Sequence, residues 1–141
     1  MKRQVSSIEW MGIIGLIFWG VVLYVRKADT FDTSSLSPTS LIIWTAPNFC
    51  GAWLAIACFK QFFAPIFSKK SIIKFPFTKK VYTGICVLVL SIGFMLEILN
   101  PYLLGGTTEF DIYDMVATTI AVLLVWIIPI LFHANIFESK Q

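Results

Sequence analysis

The chain has 141 residues, of which 57% are hydrophobic and 13% charged, with a formal net charge of +3 and a mean hydropathy of +0.81. Charged residues make up about a quarter of an ordinary soluble domain, so this composition excludes a water-soluble globular protein and points to the bilayer as solvent. Cys50, Cys58 and Cys86 all lie in apolar runs, are odd in number and lack metal-ligand spacing. That pattern excludes a disulfide framework and reads them as small polarizable core residues.

Four apolar runs follow in order. After Lys2 and Arg3, residues 8–25 are apolar except for Glu9, and Arg26-Lys27 closes the run. No small-residue cleavage site follows and the run is longer than a signal-peptide core, so it reads as a retained first membrane helix. It is short against the roughly 20 residues a span requires, but sufficient. Trp10 and Trp19 are its interfacial or packing aromatics.

Ser37-Pro38 signals a helix start, because Ser accepts from free first-turn amides and Pro fits the first turn. The second run, residues 41–63, has Asn48 as the strongly polar residue of its first half. Lys60 and Gln61 fall near its far end, where long side chains are expected to reach headgroups. Residues 64–80 are basic. The third run, residues 81–99, carries Glu97 in its last turn and is followed by the turn signals Asn100-Pro101 and Gly105-Gly106. The fourth, residues 115–137, holds Pro129, which leaves the Val125 carbonyl without its usual partner and kinks the helix. His133, the one histidine, suits the dipole near that helix's C-terminus. The expected fold is an all-α membrane protein, a bundle of four transmembrane helices forming one integral membrane domain over residues 1–141.

Lys and Arg set orientation. An inside N-terminus places Lys2, Arg3, Lys60, Lys69, Lys70, Lys74, Lys79, Lys80 and Lys140 in the cytoplasm, against Arg26 and Lys27 outside. Both termini are therefore expected in the cytoplasm. Lys69, Lys70, Lys74, Lys79 and Lys80, interleaved with Ile, Phe and Pro, enforce that topology and are expected to attract anionic lipid at the inner surface. Nothing in the chain resembles a nucleic-acid-binding domain or motif.

The outward segment, residues 97–118, contains Glu97, Glu109, Asp111 and Asp114, half of the chain's eight carboxylates, and no Lys or Arg. Asn48 lies roughly 10 Å into the second helix at 1.5 Å per residue and shares a face with Gly51, Ala52 and Ala55. Glu97 lies one turn above Gly93, and the face of Asp114 continues through Thr118 and Ala121. Small residues let membrane helices approach closely. These faces are therefore expected to meet, bringing Asn48, Glu97, Asp111, Asp114 and Thr118 around an outward-opening cavity. Ionisable residues within a span cost about 2.5–3.5 kcal/mol on insertion scales and mark candidate sites. The same residues have plainer roles: Asp111 and Asp114 as an N-cap with an acidic first turn, Glu97 as a solvated helix end, and Asn48 as an interhelical hydrogen-bonding group.

The phrase F-D-I-Y-D-M-V-A-T-T-I-A, preceded by Glu97 at the end of a helix, resembles the VanZ-like superfamily of small bacterial membrane proteins. Their pattern has Glu and Gln three apart, then Arg, then F-D-x-x-D-x-x-A-N-x-x-G. Glu97, Asp111 and Asp114 fit it. Asn100 stands for Gln, Thr118 for Asn and Ala121 for Gly, and the loop has no Arg, the residue expected to contact a phosphate or carboxylate. The match covers about 25 residues plus the helix count.

The resemblance implies a protein of the bacterial plasma membrane; the founding member is linked to glycopeptide resistance. Together, residues and resemblance lead to a non-enzymatic protein without cofactor that binds a cell-envelope molecule, a lipid headgroup or an antibiotic, at its acidic pocket. Two alternatives stand beside it. One is an accessory subunit that pairs with another membrane protein or with itself. The other is a small ion-handling transporter, with Glu97 and Asp111 or Asp114 offering oxygen ligands to a cation.

Overall fold

The computed structural model describes residues 6–28, 37–63, 72–103, 111–132 and 137. Within them the chain forms α1 (Ser7–Lys27), α2 (Pro38–Phe63), α3 (Lys79–Leu103) and α4 (Ile112–Phe132). Each helix has a segment long and apolar enough to cross a membrane, and the chain is a small multi-pass membrane protein. Lys69, Lys70, Glu109 and His133 lie outside the described residues.

The helix ends follow local chemistry. α1 opens at Ser6, whose backbone N–H donates to Glu9 Oε2 at 2.8 Å, as in a capping box. α2 begins at Pro38, with Ser37 Oγ accepting from the Ser40 N–H at 3.2 Å; the helix therefore starts three residues before the apolar run does. α4 also starts earlier than its run, because Asp111 Oδ1 accepts from the Tyr113 N–H at 2.8 Å and caps it. Asn100-Pro101 does not end the third helix as expected: α3 continues to Leu103 with Pro101 inside it. A proline there removes a single ladder bond, and its cost falls close to the end of the helix.

α2 and α4 each pack against all three other helices, whereas α1 and α3 do not touch. Consecutive helices run antiparallel, so one end of the bundle gathers the acidic ends of α3 and α4 and the other Lys74, Lys79 and Lys80. The main core, including Ile56, Tyr82, Val89, Ala121 and Val125, fills the middle and the basic half. A small separate cluster of Val22, Ile43 and Ala46 serves the acidic half of the α1–α2 contact. Outward-facing Ile, Leu, Val and Phe side chains cover the exterior, as a lipid-facing bundle requires.

Two of the three intrahelical prolines have their freed carbonyls satisfied by a side chain from another helix. Pro129 has no N–H for the Val125 carbonyl, and the buried Tyr82 hydroxyl of α3 donates to it. Pro47 likewise frees the Ile43 carbonyl. Arg26 of α1 donates to it at 2.7 Å and to the Trp44 carbonyl at 2.8 Å, with its guanidinium 4.6 Å from the Trp44 ring centroid. The Trp53 indole adds a 2.9 Å bond to the Ala121 carbonyl, and Trp126 donates to Thr83 Oγ1 at 3.0 Å.

Close approach of α1 to α2 depends on Gly12 and Gly15. A Cβ on Gly12 would sit 2.5 Å from Ala57 Cβ, and one on Gly15 would sit 3.2 Å from the Cys50 carbonyl oxygen. At Gly20 a Cβ would meet nothing within 4 Å. Gly12→Ala is thus expected to destabilise the protein by about 1–3 kcal/mol through overpacking. Gly20→Ala should not destabilise it, since helix propensity favours Ala. Thermal unfolding of the two variants in detergent checks the contrast; equal midpoints would contradict this packing.

Candidate functional site

In the acidic half α2, α3 and α4 separate around a cavity of about 320 Å³. Its polar wall is built by Asn48, Glu97, Asp114 and Thr118, and its deeper wall by small and apolar residues including Gly51, Ala55, Val89 and Ile92. Each polar group is placed by its helix. Asn48 follows Pro47, Glu97 lies one turn before Pro101, and Asp114 stands in the first turn of α4 behind its Asp111 cap.

Four of the five residues singled out in the sequence therefore share one cavity wall. The Asn48 amide lies within hydrogen-bonding reach of the Asp114 carboxylate, and Arg26 is near enough for its charge to interact with Asp114. Glu97 interacts electrostatically with both aspartates and lies within reach of the Asp111 backbone N–H. Asp111 itself is not on the wall: its carboxylate caps α4 and its backbone approaches Glu97. The Thr118 hydroxyl donates to the Asp114 carbonyl at 2.9 Å, leaving only acceptor capacity for the cavity. Asp114 Oδ1 is sealed from solvent with no hydrogen-bond partner.

The small-residue faces need one correction. A Cβ on Gly51 would meet nothing within 4 Å, so Gly51 opens the cavity and is not a close helix contact. Among the glycines of these faces the close contact is Gly93, where a Cβ would lie 2.9 Å from Thr118 Cγ2. Trp19 of α1 completes the wall. Among the described residues no three carboxylate, Cys or His side chains gather closely enough to hold a metal ion.

The opposite end contains a polar cluster that the run-by-run reading missed. Glu9 and Lys60 are 4% and 5% exposed and form a buried ion pair. Lys60 also donates to Ser6 Oγ at 2.8 Å, and Gln61 Nε2 to Glu9 Oε1 at 3.2 Å. Lys60 therefore turns into the bundle instead of reaching outward to headgroups. The signal was present: Glu9, Gly12 and Gly15 lie on one face of α1, and Cys50, Trp53, Ala57 and Lys60 on one face of α2. Two opposite charges at the same end of two small-residue faces will meet if those faces pack. Lys74, Lys79 and Lys80 are exposed. The cysteines are free; Cys50 and Cys86 are buried, whereas Cys58 lies on the exterior and is not a core residue.

Between the two polar ends stand Ile56, Val89, Ala121 and Val125, each 5% exposed or less. Comparison of the chain with family models, with curated proteins and with solved structures finds no match.

Proposed function

We propose that this protein binds a small cell-envelope amphiphile in the cavity between α2, α3 and α4, without chemistry, as a member of the VanZ-like superfamily of the bacterial plasma membrane. In this reading both termini are cytoplasmic and the acidic end opens outward. The single observation that carries it is the polarity gradient of one cavity: Asn48, Glu97, Asp114 and Thr118 at its polar part, small and apolar residues below. A cavity of this size falls at the lower end of those that hold small ligands. The D-x-x-D corner is consistent with the resemblance, since one Asp builds the helix start and the other faces the cavity. The apolar layer of Ile56, Val89, Ala121 and Val125 favours binding over ion passage. At the inner surface, exposed Lys74, Lys79 and Lys80, with Lys69 and Lys70, would hold anionic lipid at about 1 kcal/mol per residue.

The test uses the open space at Gly51. Gly51→Leu places a side chain into the cavity with no clash at Cβ. Wild-type protein extracted from membranes should retain a small amphiphile detectable by native mass spectrometry, and Gly51→Leu should lose it while unfolding at a similar temperature. Identical bound species in both proteins would remove the cavity from the function and leave an accessory role with a membrane-protein partner.

A further inference from the structure

We propose that the ligand is an amine-bearing amphiphile, with its ammonium held between Asp114 and Glu97 and its chain directed down the apolar wall toward Val89; this rests on the cavity-binding reading above. Three observations converge. First, among the described residues the cavity wall carries two carboxylates and no cationic side chain. An anionic headgroup there would meet like charge from both carboxylates, whereas an ammonium would be charge-paired and hydrogen-bonded.

Second, the nearest cation is already engaged through a terminal nitrogen, although its Nε has no hydrogen-bond partner. Arg26 interacts electrostatically with Asp114, but its terminal nitrogen donates to the Ile43 and Trp44 carbonyls and its guanidinium stacks on the Trp44 ring. Moving it to a ligand phosphate or carboxylate would strip the carbonyl that Pro47 frees.

Third, the shape has a direction. From Glu97 to Val89 the α3 wall descends eight residues, about 12 Å at 1.5 Å per residue, and it passes from charged to wholly apolar. Ile92, on that deeper wall, is also 41% exposed on the bundle surface, so the apolar part lies next to the lipid chains. A molecule with a donor head and an aliphatic chain matches this gradient. A compact polar cation would leave the deeper wall unfilled.

The experiment measures saturable binding of a radiolabelled long-chain primary amine to the purified full chain in neutral maltoside micelles. Competitors of the same chain length are the N-acetylated amine and the fatty acid. Expected is displacement by unlabelled amine at concentrations about tenfold or more below those of either competitor. The nearly isosteric Glu97→Gln and Asp114→Asn should each reduce that preference, and Gly51→Leu should abolish binding. If the unlabelled amine and both competitors displace equally, or the carboxamide variants bind as wild type, while Gly51→Leu still blocks binding, the amine assignment is overturned and the cavity reading stands. If Gly51→Leu binds as wild type, both are overturned. Should either carboxamide variant fail to accumulate, the other carries the same comparison.

Discussion

Lys60→Met is expected to lower the unfolding free energy by about 3–5 kcal/mol, the usual consequence of removing one member of a buried ion pair. Glu9 would remain 4% exposed, accepting from Ser6 and Gln61 with no countercharge from α2. In a bilayer such a carboxylate must protonate or open the α1–α2 contact to water. Glu9→Met should be comparably harmful from the other side. The double variant Glu9→Met/Lys60→Met is the informative one, because apolar replacement of both partners is often neutral or stabilising. It should recover most of the loss, short of the Ser6 N–H bond that Glu9 accepts. Unfolding in mixed micelles, run as a double-mutant cycle, gives the coupling directly. If the two single losses simply add, Glu9 and Lys60 do not act as a pair.

Why this pair escaped a run-by-run reading is physically specific. A lysine near the end of an apolar run can satisfy its charge at the headgroups or against a neighbouring carboxylate, and hydropathy does not separate those outcomes. Helical face does. Lys60 lies three residues beyond Ala57, the residue against which Gly12 packs, so its side chain emerges on the packed surface. The four spans were legible because a run of about 20 apolar residues has few alternatives in a membrane. The cap at Asp111 was legible because D-x-x-D ahead of an apolar run satisfies free amides locally. Gly51 misled because smallness has two uses. At Gly12 it lets backbones meet, and at Gly51 it leaves room. Only the position of the neighbouring helix decides between them.

The prolines show the same dependence on partners. The freed Val125 carbonyl was expected from Pro129 alone, but its satisfaction by Tyr82 depends on where α3 lies. Pro47 is a case that the second run concealed. It sits beside Asn48, among the residues that line the cavity, and its freed carbonyl brings Arg26 from α1 to the acidic end. The loop between α3 and α4 has no arginine. The cation near Asp114 comes instead from the other side of the bundle, which no comparison restricted to the D-x-x-D corner would reveal.

Arg26→Met should be the second severe substitution, costing about 3 kcal/mol. It removes two bonds from a charged donor, each contributing about 1.5–3 kcal/mol, and a cation–π contact of about 0.5–1 kcal/mol; these share one side chain and do not add fully. Arg26→Lys should fall between, since an ammonium lacks the planar fork that spans the Ile43 and Trp44 carbonyls. The cause can be isolated by restoring the missing donor. In a Pro47→Ala background the backbone N–H at position 47 can return to Ile43, and Arg26→Met should then cost about 1–2 kcal/mol less. An equal loss in both backgrounds would show that Arg26 does not act through the proline-freed carbonyl. The same substitution has an opposite consequence for the cavity. Removing the cation that interacts with Asp114 makes the wall more negative, so Arg26→Met protein that remains folded should bind the long-chain amine more tightly than wild type. Weaker stability with stronger amine binding is a combination that general disruption of the acidic end would not produce.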